Sequence, residues 1–140
     1  MSDDWFAGWL RPLPNGQVLL LASTYAPDNP SWAFHLFLVS LEGRCTVGHL
    51  LARFTEGPAQ HKLFIGDFSL SADYRNAGTG SWMLAPLLDF CRVAQVGVVE
   101  GEIAGVDWER VEMLEHFYTK HGFAVTANQK PKSKALKKLL

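Results

Sequence analysis

The spacing of apolar and polar positions divides the chain into a strand-rich first half and a second half where strands and helices interleave. Residues 17–24 (QVLLLAST) and 33–41 (AFHLFLVSL) are dense in branched and aromatic side chains and read as strands. Residues 25–31 (YAPDNPS) between them carry two prolines and an Asp-Asn pair, the chemistry of a turn. Glu42, Gly43 and Arg44 read as a hairpin turn that returns into a strand over residues 45–54. Residues 56–60 contain Gly57 and Pro58 and read as a loop; residues 63–71 (LFIGDFSLS) are another strand. The period then lengthens. Over residues 81–96 the apolar positions are Trp82, Leu84, Ala85, Leu88, Cys91, Val93 and Ala94, with Asp89, Arg92 and Gln95 elsewhere, the pattern of an amphipathic helix. Pro86 removes one backbone bond and predicts a kink or a shifted start. Gly97 is the expected terminator. Residues 98–104 read as a strand. Asp107 is the expected cap of a second helix reaching about His121 and ended by Gly122, and residues 123–126 form a short strand. The strand-helix-strand crossover is long enough to join parallel strands. The expected class is α/β (α+β), a mixed, mostly antiparallel sheet with packed helices.

Composition narrows the picture. A chain of 140 residues fits a single domain over residues 1–140. With 48% apolar and 19% charged residues it can build a core, which excludes wholesale disorder. No run approaches the roughly 18 apolar residues of a membrane span. The acidic opening, with Asp3 and Asp4, is unlike a secretory signal. Cys45 and Cys91 form neither a disulfide framework nor a metal-type pair, so no metal is expected and the expected compartment is the reducing cytoplasm. The formal charge of −1 hides an asymmetry: all 14 acidic residues precede residue 130, whereas Lys130, Lys132, Lys134, Lys137 and Lys138 close the chain. A nucleic-acid-binding core would show a broad basic face, so nucleic acid is not an expected partner. The closing segment 130–140 (KPKSKALKKLL) has three readings: a last sheet strand, a basic amphipathic helix, or an electrostatic tail.

The stretch that carries chemistry is residues 70–81 (LSADYRNAGTGS), between a strand and a helix start. Gly78 and Gly80 let a ligand approach the backbone without meeting a Cβ. Successive N–H groups from Asn76 to Ser81, backed by the positive end of a helix, suit a pyrophosphate, and Arg75 adds a full charge. Other phosphate loops fit poorly. No Gly-Lys-Ser/Thr is present, and Met83 stands where a dinucleotide fingerprint needs its third glycine.

Arg75-x-x-Gly78-x-Gly80, with a strand before it and an amphipathic helix after, resembles the acyl-CoA pyrophosphate loop of the GNAT superfamily of N-acetyltransferases. Downstream, residues 117–123 (FYTKHGF) resemble that family's late-helix signature, a tyrosine followed shortly by Gly-Phe. The resemblance covers about residues 63–123. It implies two parallel strands, ending near Leu70 and spanning 98–104, that splay apart to admit acetyl-CoA as co-substrate. The pantetheine arm would bond to backbone near Phe68, Ser69 and Leu70. The loop Arg75, Asn76, Ala77, Gly78, Thr79, Gly80 and Ser81 would hold the pyrophosphate. A primary amine would attack the thioester directly in a ternary complex, a backbone N–H near Leu70 would polarise its carbonyl, and Tyr118 would protonate the departing thiolate. The rival for Tyr118 is an aromatic core residue.

The chain departs from the family pattern in three places. Val111 and Leu114 stand where an asparagine and an alanine are frequent before the tyrosine. Only about eight residues separate the first two strands, too few for the two helices that usually lie over the acceptor site. That side is therefore expected to be open or covered by a partner chain, with residues 5–13 available to fold over it. Phe64 stands where a glutamate is frequent, and Asp67 is expected on the face opposite Phe64, Phe68 and Leu70. Glu100 and Glu102 share one face of an inner strand, as solvated charge or as an attractor for a cationic amine. His35 and His49 are expected to be neighbours on facing strands. Glu112 and His116 read as a local pair, His61 as a weak base candidate, Cys91 as core, and Trp82 and Trp108 as packing residues. The expected function is N-acetyl transfer to an amine; the alternative is a non-catalytic CoA-binding or interaction module on the same scaffold. A homodimer is compatible with exposed strand edges.

Overall fold

The structure, a computed structural model, describes residues 5–25, 34–54, 62–75 and 78–140. Among these residues eight strands form one sheet: β1 (Trp5–Pro12), β2 (Val18–Tyr25), β3 (Phe34–Ser40), β4 (Cys45–Phe54), β5 (Lys62–Leu70), β6 (Val98–Ala104), β7 (Ala124–Ala127) and β8 (Ser133–Leu139). Their spatial order is β1-β2-β3-β4-β5-β6-β8-β7. Every neighbouring pair is antiparallel except β5 and β6, joined by the crossover helix α1 (Thr79–Val93). The second helix, α2 (Val111–Lys120), follows β6. The expected fold class therefore holds, and the closing lysine-rich segment is a strand, the first of its three readings.

The alternation within strands decides which face is covered. Phe34, Leu36 and Leu38 of β3, Leu50 and Ala52 of β4, and Leu63 and Ile65 of β5 are buried against Met83, Leu84, Leu87, Leu88 and Cys91 of α1. The rings of Phe34 and Phe90 lie 5.0 Å apart across this contact. Helix α2 lies on the same face. Phe117 meets the ring of Phe68 at 6.0 Å, Glu115 pairs with Lys134 of β8 at 2.7 Å, and Lys138 donates to the carbonyl of His121 at 2.8 Å. That lysine meets the negative end of α2.

Four local expectations need correction. Residues 5–13 do not lie over a face of the sheet; β1 extends its edge by pairing with β2 in register from Trp5↔Tyr25 to Pro12↔Val18. Helix α1 starts at Thr79, runs unbroken through Pro86 and ends before Gln95, whose φ of 61° takes the terminating role assigned to Gly97. Helix α2 begins at Val111, and residues 105–110 form a 3-10 segment where a cap at Asp107 was expected. Asp67 lies on the same face as Phe64. The register changes from Ala52↔Ile65 to Leu51↔Asp67, so Gly66 is a β-bulge that inverts the alternation beyond it. The turn expected at residues 25–31, the loop at 56–60 and His61 fall, except for Tyr25, outside the described residues.

The two thiols differ sharply. Cys91 is fully buried beneath α1, and burial pushes its thiol up to about 12. Cys45 is exposed at the end of the β3–β4 turn. Reaction is carried by the thiolate. A disulfide-exchange reagent should therefore label one thiol rapidly in native protein and the second only on unfolding. Loss of the fast phase in Cys45→Ser, with none in Cys91→Ser, checks the assignment.

Candidate active site

Two cavities meet where β5 and β6 part. The parallel pairing covers only Lys62↔Val98, Leu63↔Val99 and Phe64↔Glu100. Beyond it β5 has no strand partner on the β6 side. A narrow slot of about 50 Å³ opens there, lined by Ile65, Asp67 and Phe68 of β5, Glu102 and Ile103 of β6, and Tyr118 of α2. A groove of about 260 Å³ runs from this point along α2 to the start of α1. Phe68, Leu114 and Tyr118 line both spaces.

The groove is built by the residues between β5 and α1. Arg75 donates from Nε to the carbonyl of Leu70 at 2.7 Å, which folds the chain back over the end of β5 and fixes the guanidinium at the groove wall. Gly78 is the N-cap of α1 at φ 78°, a left-handed conformation that explains glycine there. Among the described residues no side chain caps this terminus, so its first N–H groups can meet another acceptor. Gly80 has a different reason: a Cβ there would lie 3.2 Å from the Phe117 ring, so glycine permits α1 and α2 to meet. Ser81 bonds His121 Nε2 at 2.8 Å and closes the same junction. Of the expected loop residues, Arg75, Gly78, Gly80 and Ser81 line the groove, Thr79 is buried beneath it, and Asn76 and Ala77 lie outside the described residues. Phe68 and Leu70 line it too, and Ser69 faces the other side of β5 beside His49.

Three cations near this groove were missed in the sequence. Arg110, the last residue of the 3-10 segment before α2, and Lys120 of α2 line it. Their spacing with Met113, Leu114 and Phe117 is a helical stripe that could have revealed them. The Arg11 guanidinium reaches from β1 to lie 5.7 Å from the centroid of the Trp82 ring and beside Gly78, a contact no local pattern foretells.

Tyr118 is 6% exposed, with ring neighbours Phe117 and Phe123 each at 5.3 Å. Val111, at the position expected for an asparagine, is partly buried against the core.

The opposite face of the sheet carries no helix among the described residues. Residues His35, Phe37, His49, Leu51, Arg53, Phe64, Asp67, Ser69, Glu100 and Glu102 share it by register. Glu100 pairs with Lys62 at 3.5 Å, and Glu102 accepts from Ser133 Oγ at 2.8 Å. His35 and His49 are neighbours, with ring centroids 6.3 Å apart. Among the described residues no group of three or more His, Cys, Asp or Glu could hold a metal ion, and no helix is long and apolar enough to cross a membrane.

His121 titrates below the ordinary 6.5, first because burial disfavours its charge, then because Lys120 and Lys138 repel it. Its Nε2 shares a hydrogen bond with the Ser81 hydroxyl. The unfolded chain then binds a proton that the folded chain refuses. Stability contributed by this group is full above the ordinary value, falls as pH drops through it, and levels off below the lowered value. Thermal midpoints between about pH 8 and pH 5 should fall toward acid, and His121→Gln should flatten that slope.

Residues 4–123 match the model of the acetyltransferase (GNAT) family. The chain belongs to this family. It is similar to YocC of Bacillus subtilis (strain 168), 35% identical over 85 residues, 51% of this chain and 52% of that one. The chain thus spans about half the length of the curated relative it matches. Among solved structures it is similar to Naa50 of Arabidopsis thaliana in complex with the bisubstrate analogue CoA-Ac-MVNAL (TM-score 0.61, 21% identity, 76% of this chain, 72% of that one). It is also similar to Ard1 of Thermoplasma volcanium (TM-score 0.56, 22% identity, 74% and 70%). A third is the PaiA N-acetyltransferase of Thermoplasma acidophilum in complex with coenzyme A (TM-score 0.58, 15% identity, 76% and 61%). At these identities the likeness is one of fold.

Proposed function

We propose that this GNAT domain transfers an acetyl group from acetyl-CoA to a primary amine. The observation that carries the reading is the junction of the two cavities: a cation-lined groove at an uncapped helix start opens onto a slot between parted parallel strands. The groove offers Arg75 and the N–H groups of α1 to a pyrophosphate, with Arg110 and Lys120 adding positive charge. The backbone of Phe68, Ser69 and Leu70, freed on its β6 side, offers hydrogen bonds to an extended pantetheine arm. The thioester would then lie at the slot, where a backbone N–H near Leu70 can stabilise the developing oxyanion. The amine enters from the bare face. Its nitrogen bonds to the acetyl carbon, the carbon–sulfur bond breaks, and Tyr118 gives its proton to the leaving thiolate.

Calorimetric titration with acetyl-CoA tests the cofactor half. Micromolar binding that weakens about tenfold or more in Arg75→Ala is expected, equivalent to the roughly 1.5–3 kcal/mol of a charged hydrogen bond. No binding to well-folded protein sinks the reading. The second reading, a CoA-binding module without turnover, is favoured by Val111, which has no amide to offer the cofactor or an ordered water. Acetyl-CoA binding without CoA release across spermidine, an aminoglycoside and peptides with a free lysine or N-terminus would select it.

A further inference from the structure

On the bare face, His49 of β4 and Asp67 of β5 form a pair that the transfer reaction as written does not use. His49 Nε2 lies 2.6 Å from Asp67 Oδ2 and 3.4 Å from Ser69 Oγ. An ionised carboxylate can only accept a hydrogen bond, so Nε2 donates in this contact, and in the neutral imidazole the lone pair is then on Nδ1. Asp67 is also a wall of the slot, opposite Tyr118. The Gly66 bulge creates this placement, since regular alternation from Phe64 would turn Asp67 toward the helices. His49 is in register with Ser69, level with the stretch of β5 proposed to hold the pantetheine arm.

We propose that Asp67 receives the ammonium group of the acceptor and that His49, oriented by Asp67, takes its proton. The inference rests on the acetyl-transfer reading and adds to it both a proton acceptor and an acceptor class. The substrate arrives as a cation, R–NH3+. Its charge meets the Asp67 carboxylate at the slot mouth. One proton passes to His49 Nδ1 through solvent water on this face of the sheet, where His49 lies beside Asp67 and outside the slot wall. The resulting R–NH2 attacks the thioester carbon. The carbon–sulfur bond breaks, the thiolate takes the Tyr118 proton, and the nitrogen sheds its second proton to solvent, which also reprotonates the tyrosinate. Overall, R–NH3+ and acetyl-CoA give the acetamide, CoA thiol and one proton.

The surroundings suit this role. His35 of β3 meets His49 edge-on at 6.3 Å, and its own pKa is lowered, first by burial and then by its neighbour His49. Among the described residues the other titratable or charged groups on the face are Arg53 of β4, Lys62 of β5, Glu100 and Glu102 of β6 and Lys137 of β8. Lys62 is engaged by Glu100, Arg53 stacks over Phe64 at 5.2 Å, and Glu102 accepts from Ser133. Asp67 is the slot-lining carboxylate paired with an imidazole.

The test is kcat/KM for spermidine and for a peptide with a free N-terminus, measured against pH in wild type, His49→Gln and Asp67→Asn. Acetyl-CoA affinity is titrated in parallel. His49→Gln should lose about 10²-fold at neutral pH. The deficit should shrink at alkaline pH, where the free amine forms unaided, and acetyl-CoA affinity should stay unchanged. Asp67→Asn should raise KM for the amine more than it lowers kcat, because it removes the ammonium's counter-charge. Long-range nitrogen–proton NMR of the imidazole should show the Nε2–H tautomer in wild type and a mixture in Asp67→Asn. A His49→Gln profile that overlays wild type, or an Nδ1–H tautomer, overturns the proton-acceptor role while leaving acetyl transfer standing. Acetyl-CoA binding without turnover of either amine in wild type overturns both.

Discussion

Tyr118→Phe is expected to lower CoA release by about 10²–10⁴-fold, the range for loss of a positioned general acid. The fold and acetyl-CoA affinity should stay close to wild type. Three side chains line both the groove and the slot: Phe68, Leu114 and Tyr118. Only the tyrosine has a proton to give. Its ring is held by Phe117 and Phe123, and phenylalanine keeps both contacts, so the core loses no volume. Removing the hydroxyl costs about 1 kcal/mol of stability if a hydrogen bond goes with it. A core role and an acid role therefore separate: the first moves the thermal midpoint, the second moves kcat. The check is CoA release at saturating acetyl-CoA alongside thermal unfolding. Turnover equal to wild type would make Tyr118 a packing residue of α2 and return the thiolate's proton to solvent.

What the sequence showed of this architecture follows from how far each signal reaches along the chain. Val98–Ala104 and Cys45–Phe54 emerge at their observed bounds because a run of branched and apolar residues ends in turn chemistry at each side. That a helix starts shortly after β5 was legible because a helix start after a strand is a local event. The closing strand β8 competed with a basic helix, and its partners decide it: it pairs with β6 along its length while its lysines reach Glu115 and His121 across α2. Strand β1 was opaque because Gly8 and Pro12 interrupt its pattern and its stability comes from pairing with β2. The Gly66 bulge was opaque for a sharper reason. One unpaired residue inverts the face of everything after it, and only the register with β4 reveals it. That inversion separates Asp67 as an isolated carboxylate from Asp67 as the partner of His49. Val111 was legible as a departure, but its consequence depends on the ligand.

Gly80→Val is expected to weaken acetyl-CoA binding at least tenfold and to cost about 1–3 kcal/mol of stability, the usual range for overpacking. A Cβ at this position meets Phe117 Cε1 at 3.2 Å and Cζ at 3.4 Å. The ring has little freedom to withdraw, with Phe68 at 6.0 Å, Tyr118 at 5.3 Å and His121 at 4.9 Å around it. The branched side chain must therefore push α1 away from α2. That displacement breaks the Ser81–His121 bond and moves the first N–H groups of α1 relative to Arg110 and Lys120. Gly78→Ala acts differently. Its φ of 78° costs alanine about 1–2 kcal/mol, but the nearest atom is the movable end of Arg11 at 3.3 Å. The two substitutions should thus lower the thermal midpoint by similar amounts while only Gly80→Val displaces the helix. Pairing Gly80→Val with Phe117→Ala returns the missing space, so the double variant should bind acetyl-CoA better than Gly80→Val alone, a coupling between contacting residues. Circular dichroism establishes that each variant is folded, and calorimetry reads the affinity. Wild-type affinity in folded Gly80→Val, or no rescue by Phe117→Ala, would mean that the groove does not depend on the contact between the two helices.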